Sequence, residues 1–212
     1  MTISEIYKQY NIMPQLAQHQ FRVAAVAAMI CDNFSENINK QDIVAACLLH
    51  DMGNIIKFDL NQSASFLNEN IDLEYWQTIQ RDFKAKYGNN EHQAHIQIAR
   101  ELGVSDRVIE LISSISFLGA KDNVLSSDFG RKIVHYSDNR VSPLGVISLE
   151  GRFQDLRQRY SHHGDNREAK DNFENSLRDI EIQIFQQCKI KPEDINDSSV
   201  QGYITSLREF EI

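Results

Sequence analysis

A histidine next to an aspartate, at the end of an apolar run, is the first feature of this sequence that indicates chemistry. His50 and Asp51 follow an apolar stretch that begins at Ile43. Burying an imidazole and a carboxylate there is costly unless a partner satisfies them. Their nitrogen and oxygen atoms suit Fe, Mn, Co, Ni or Zn better than Ca. A metal site would need further ligands from elsewhere, and the alternative is a helix-terminal histidine beside an exposed aspartate.

Two distant side chains are candidates to complete such a site. His19 lies 31 residues before His50 in another apolar stretch, so two antiparallel helices with a short connection would bring the two imidazoles together. Asp138 lies near the predicted end of a late helix, shortly before Pro143. Taken singly, each has an ordinary alternative as a packed histidine or a surface aspartate.

The elements that would position these residues are helices. Apolar residues recur with a helical period almost throughout, and no segment alternates as a strand does, so the fold is predicted to be all-α. Pro14 and Asn39 mark helix starts, and Gly53 is predicted to be the C-cap of the helix that carries His50. The predicted helices cover about residues 2–10, 14–34, 41–52, 72–87, 91–102, 106–117, 128–140, 149–160 and 167–189, with a weak helix in 190–212 and a loop at 119–127.

Length and composition restrict the classes of protein that remain. A chain of 212 residues with 42% apolar and 25% charged residues is typical of one globular domain. Its net charge of −8 argues against sequence-independent nucleic-acid binding, yet it permits a small phosphorylated substrate. The apolar stretch 23–30 is too short for a bilayer, and no secretory signal is visible at the start. Three cysteines without a CxxC pair are expected to be reduced, which predicts a cytoplasmic protein.

The ordered set of candidate residues resembles the HD superfamily of metal-dependent phosphohydrolases. The family pattern H…HD…D is carried by His19, His50, Asp51 and Asp138. HQFRVAAVAAMICDNF resembles the first family motif, AACLLHDMGNIIKF resembles the second, and NEHQAHIQIARELGVSDRVIELI resembles the middle segment. The resemblance covers about residues 14–160. It implies an HD-domain-like helical bundle in 1–160. Residues 161–212 lie outside the resemblance and are predicted to be a C-terminal helical extension packed on the same domain.

The resemblance also implies a function and a cofactor. His19, His50, Asp51 and Asp138 would hold one divalent transition metal (Mn, Fe, Co, Ni or Zn, with Mg as a further option), and Asp51 would be catalytic. The metal would activate water for attack on phosphorus. The implied activity is hydrolysis of a nucleotide or related small phosphoester, as a phosphomonoesterase or phosphodiesterase, and no membrane partner is implied.

Residues near these motifs are predicted to bind the phosphate. Arg22 follows His19 by one turn, Lys57 follows the HD pair, and Arg140 follows Asp138; a surface ion pair is the alternative for each. Asn54 stands where nucleotidase-like members have Glu and cyclic-dinucleotide phosphodiesterases usually have Lys. Asn can orient a water but cannot transfer a proton. A non-catalytic nucleotide-binding HD module therefore remains an alternative.

Two further histidines bear on the number of metal ions. Dinuclear members of the family supply two more histidines before the last aspartate, and His92 matches the first of them. The second is missing, because no histidine occurs between His95 and His135. His92 is predicted to support a ligand, to contact phosphate or to be structural, and His95 is a candidate substitute for the missing ligand. One metal is predicted, which counts against an HD-type iron oxygenase with a di-iron core.

The remaining candidates have packing alternatives. His135, three residues before Asp138, is predicted either to orient that ligand or to be a packed histidine. His162 and His163 fall in a polar break and are expected to be exposed. A helical stripe is predicted to be core or the seam of a homodimer; its members are Phe173, Leu177, Ile180 and Ile184.

Overall fold

The computed structural model describes residues 1–60, 72–159 and 167–212. Within these ranges the chain is almost wholly helical, and the all-α prediction is confirmed. The α-helices are α1 (Ile3–Gln9), α2 (Pro14–Asp32), α3 (Lys40–Leu49), α4 (Leu73–Tyr87), α5 (Glu91–Glu101), α6 (Asp106–Ser114), α7 (Ala120–Leu125), α8 (Phe129–Asp138), α9 (Leu149–Arg159), α10 (Arg167–Phe185) and α11 (Asp197–Leu207). Short 3-10 turns occupy Asn54–Lys57 and Pro192–Asp194. The predicted break that contains His162 and His163 lies outside the described residues.

Helix α3 is the centre of the bundle because it has no polar face after its first turn. Every residue from Ile43 to Leu49 is buried, and α2, α6 and α8 pack around this helix. Asn39 caps its start as predicted, since the Asn39 side-chain oxygen accepts a hydrogen bond from the backbone N–H of Asp42. The arrangement lets side chains from α2 and α8 meet beside the C-terminal end of α3.

Two local predictions are wrong. The segment 119–127, predicted to be a loop, contains α7, which buries Ala120 and Asn123; a helix of six residues is too short to show a period. No strand was predicted, yet the segment after α8 contains strands β1 (Val141–Ser142) and β2 (Gly145–Val146), which pair antiparallel. Two-residue strands give no alternation that a sequence pattern can detect.

The last two helices pack on the helices that carry candidate site residues. Helix α10 contacts α7 and α8 and buries Leu177, Ile180 and Ile184 completely, so this stripe is core and not a dimer seam. Helix α11 packs along α2. The division of the chain near residue 160 stays a prediction, because residues 160–166 lie outside the described ranges.

None of the described helices combines the length and the apolar character that crossing a bilayer requires.

Candidate metal centre

The end of α3 fixes the orientation of His50. This residue is buried, and its Nδ1–H donates to the carbonyl oxygen of Cys47 at 2.8 Å. The opposite ring atom, Nε2, then faces two carboxylates: it lies 3.6 Å from Asp51 Oδ2 and 3.3 Å from Asp138 Oδ1. Metal-ligating histidines are typically held in this way, with the second ring nitrogen donating to a backbone carbonyl.

Helices α2 and α8 supply the other two side chains. The Nε2 atom of His19 lies 3.1 Å from Asp138 Oδ1 and 3.7 Å from Asp51 Oδ2. His19, His50 and Asp51 each offer one ligand atom within 4.8 Å of the others, and Asp138 contacts both rings. Ligand atoms that are about 2.1 Å from one cation lie about 3.0–3.4 Å apart. The separations from Asp138 Oδ1 fit a shared cation, and those from Asp51 Oδ2, at 3.6 and 3.7 Å, exceed this range by a few tenths of an ångström.

Electrostatics at this cluster favours a positive charge between the carboxylates. Burial raises the pKa of Asp138, but hydrogen bonds from His19 and His50 outweigh burial and hold that pKa well below its ordinary value. The pKa of Asp51 is also lowered, because the charges of the two histidines outweigh burial. Burial lowers the pKa of His50, yet the charge of Asp51 and the hydrogen bond to Asp138 raise it to about 9. A proton and a metal ion compete for such a nitrogen.

Gln20 is a site residue that sequence reasoning missed. It is wholly buried, and its Oε1 accepts a hydrogen bond from the backbone N–H of Asp51 at 3.3 Å. Gln20 therefore ties α2, directly beside His19, to the turn that carries Asp51. Its Nε2 has no hydrogen-bond partner in the described parts of the chain. The available sequence signal was weak: Gln20 follows His19 directly but is one of three glutamines in α2.

Gly53 is not the C-cap of α3, and that prediction is wrong. Helix α3 ends at His50 in right-handed conformation, and Gly53 has a φ of −98° that any residue adopts. Glycine is required because α5 packs directly on it: an added Cβ would lie 2.6 Å from the Cβ of Ala94. The backbone N–H of Gly53 also donates to Nδ1 of His95 at 2.9 Å. The turn after Asp51 is thereby fastened to α5.

Helix α5 brings His95 to the centre. His95 is buried, and its Nε2 lies 3.9 Å from Asp51 Oδ1. Burial lowers its pKa to about 3, so the ring is neutral near pH 7. His92 is half-buried, with its ring centroid 6.2 Å from that of His95. A role for His92 at the centre stays a prediction.

Phosphate binding by Lys57, Arg22 and Asn54 stays a prediction. Lys57 is half-exposed at the end of its 3-10 turn, and its charge helps to lower the pKa of Asp51. Arg22 Nε lies 3.6 Å from Asp197 Oδ1 at the start of α11. Asn54 is buried, and its Oδ1 lacks a partner among the described residues.

The prediction that Arg140 binds phosphate is wrong. Its side chain is only 2% exposed, and its guanidinium points into the protein. The donors are engaged with the hydroxyl of Tyr136 and with the carbonyl oxygens of Ile147, Pro192 and Ile195. An arginine held in this way joins α8 to the chain before α11 and has no donor directed at a substrate.

His135 is a packed histidine, the second of its two predicted roles. It is 1% exposed, and its Nδ1 accepts a hydrogen bond from Asn123 Nδ2 at 2.8 Å. Burial lowers its pKa from 6.5 to about 4. The native ring therefore stays neutral in a pH range where the unfolded chain takes up a proton.

Acid is expected to weaken the fold through His135. As pH falls below 6.5, His135 of the unfolded state binds a proton. His135 of the native state binds it only near pH 4 and below, so the free energy of unfolding decreases. This single group accounts for about 2 kcal/mol between about pH 7.5 and about pH 5. Urea unfolding in the presence of a chelator measures the effect.

The matched variant for this prediction is His135→Asn. It removes the titrating ring, so its loss of stability over the same pH interval is expected to be smaller than that of the parent protein by about 2 kcal/mol. An equal loss in both proteins would show that His135 does not titrate in this way.

The bundle and the His-Asp cluster define a helical domain with a candidate metal site, and comparison with known proteins agrees. Residues 16–117 match the family model of the HD domain. That segment contains His19, His50 and Asp51 and ends before Asp138. Neither a curated protein nor a solved structure gives a significant match. Residues 16–117 therefore form an HD domain, and proteins of the HD superfamily are mostly metal-dependent phosphohydrolases.

Proposed function

We propose that this protein is a metal-dependent phosphohydrolase that acts on a nucleotide or a related small phosphoester. One divalent transition cation would be held by His19, His50, Asp51 and Asp138. The observation that carries the proposal is the approach of Asp138 Oδ1 to both His19 Nε2, at 3.1 Å, and His50 Nε2, at 3.3 Å. Asp138 is 88 residues beyond His50, so only the tertiary structure brings these groups together.

The donor set suits such a cation and a phosphate. When bound, a divalent cation supplies Lewis-acid polarisation of a phosphoryl oxygen and activation of water. Asp51 and Asp138 carry two negative charges, which a dication cancels. The charge of the phosphate then needs further cations, and Lys57 is the half-exposed candidate beside the turn. Asn54 can orient a water or a phosphate oxygen, but it cannot donate a proton to a leaving group.

The test combines metal analysis with a panel of phosphomonoesters, phosphodiesters and nucleotides, each assayed with Mn, Fe, Co, Ni, Zn and Mg. We expect about one metal per chain and turnover that is lost in Asp51→Ala with an unchanged circular dichroism spectrum. Activity retained in Asp51→Ala, or the absence of any bound divalent metal, would contradict the proposal.

A non-catalytic nucleotide-binding module is the second candidate function. The observation that favours it is Asn54, a buried amide at the position where the resembling hydrolases carry an ionisable residue. This candidate predicts saturable nucleotide binding without turnover for every metal in the panel.

A cytoplasmic location is also part of the proposal. The chemistry that supports it is that of the cysteines: Cys31, Cys47 and Cys188 are all free thiols, and such thiols persist in reducing compartments.

A further inference from the structure

His95 approaches a different carboxylate oxygen of Asp51 from the one that the two predicted histidine ligands face. Its Nε2 lies 3.9 Å from Asp51 Oδ1. The Nε2 atoms of His19 and His50 lie 3.7 and 3.6 Å from the other carboxylate oxygen, Oδ2. The carboxylate of Asp51 therefore presents one oxygen to the ligand cluster and the other to His95.

Hydrogen bonds to the backbone determine which ring nitrogen carries the hydrogen in His95 and in His50. The N–H of Gly53 can only donate, so the Nδ1 atom of His95 that it contacts at 2.9 Å must be an acceptor. A neutral ring then carries its hydrogen on Nε2. At His50 the partner is the carbonyl of Cys47, which can only accept, so Nδ1 carries hydrogen and the Nε2 lone pair is available to a cation.

A 180° flip of the His95 ring about its Cβ–Cγ bond would be unfavourable. Turning it over would place carbon opposite the Gly53 N–H and leave a buried donor without a partner. Helix α5 packs directly on Gly53, where an added Cβ would lie 2.6 Å from Ala94 Cβ and 3.2 Å from His95 Nδ1, so the ring and the Gly53 N–H are held at close range. His95 consequently presents an N–H group, and not a lone pair, to the centre.

We infer that His95 is a positioning residue for Asp51 and not the ligand of a second metal ion; this rests on the proposed function. The Nε2–H group attracts Oδ1 of Asp51, so that the carboxylate engages the cation through Oδ2 alone. Because Oδ1 of Asp51 does not bind the cation, coordination positions of the cation remain for water and a phosphate oxygen. The centre is therefore mononuclear.

Two substitutions test the roles of the two ring nitrogens of His95 separately. His95→Asn keeps an acceptor near the position of Nδ1 for the Gly53 N–H but removes the donor that faces Asp51. His95→Gln extends an amide donor to the position of Nε2 but removes the acceptor for Gly53. Gln97→Asn, on the exposed face of the same helix, controls for the shortening of a polar side chain in α5.

The measurement is Mn²⁺ titration of the intact protein, followed by the electron paramagnetic resonance signal of the free ion, together with thermal melting. We expect one Mn²⁺ per chain in the parent and in every variant. Affinity should fall about tenfold in His95→Asn and recover towards the parent value in His95→Gln. Thermal stability should follow the opposite order, with His95→Gln melting several degrees lower than His95→Asn.

Other results would overturn the inference in distinguishable ways. Two Mn²⁺ ions in the parent and one in His95→Asn would make His95 a ligand. Parent-like affinity in His95→Asn, or affinities that follow melting temperature, would reduce His95 to a structural residue while the proposed function stood. Failure of the parent to bind any divalent ion would overturn the proposed function and this inference together.

Discussion

Replacement of Asp138 by Asn is expected to lower the affinity for divalent transition metal by about 100-fold or more, a larger loss than the 10–100-fold typical of residues that only support a ligand. The substitution keeps the volume but removes one of the two negative charges of the cluster. It also removes the carboxylate oxygen that contacts both His19 and His50. Metal titration measures the affinity, and phosphoester turnover should fall with it.

The control for this prediction is Asp122→Asn, a change of equal size at an exposed carboxylate on α7. It should leave metal affinity unchanged. Parent-like affinity in Asp138→Asn would exclude Asp138 as a ligand and restrict the centre to the segment that matches the HD family model. The experiment thus tests whether the site extends beyond residue 117.

Replacement of Arg140 by Met is expected to destabilise the protein by about 2–6 kcal/mol, because each buried acceptor that loses its donor costs about 1–3 kcal/mol. The side chain is 2% exposed. Its loss leaves the carbonyl oxygens of Ile147 and Ile195 without their donor in the interior. Urea unfolding measures the change.

The same variant decides between a structural and a substrate-binding arginine. Under conditions where the variant is folded, the KM for any phosphoester substrate should equal that of the parent. Arg81→Met, at an exposed arginine of α4, should change the free energy of unfolding by less than about 0.5 kcal/mol. A raised KM with parent-like stability would contradict the structural role.

The four residues of the cluster were indicated by two kinds of signal, one local for His50 and Asp51, and one that rests on the resemblance to the HD pattern for His19 and Asp138. His50 and Asp51 end an apolar helix, and His19 and Asp138 occupy fixed places in an ordered pattern. Their convergence depends on α2 and α8 both packing on α3. That packing follows from apolar periodicity, which is the strongest signal in a helical sequence.

Other features depend on burial, which the local sequence does not show. Arg140 next to a ligand motif has the same local sequence whether it lines a cleft or lies in the core. Gln20 and Gly53 acquire their roles from neighbours distant in sequence, Asp51 and His95. The tautomer of His95 likewise depends on a backbone N–H that is 42 residues away.

The three helices that position the cluster come from different parts of the chain, so a metal bound there would couple metal supply to the stability of the folded protein. A cation that binds side chains of α2, α3 and α8 at once binds the native state and not the unfolded chain. At a free concentration about 100 times its Kd it adds about 2.7 kcal/mol to stability. Starvation for the metal would therefore raise the unfolded fraction of the protein and with it the share exposed to proteases.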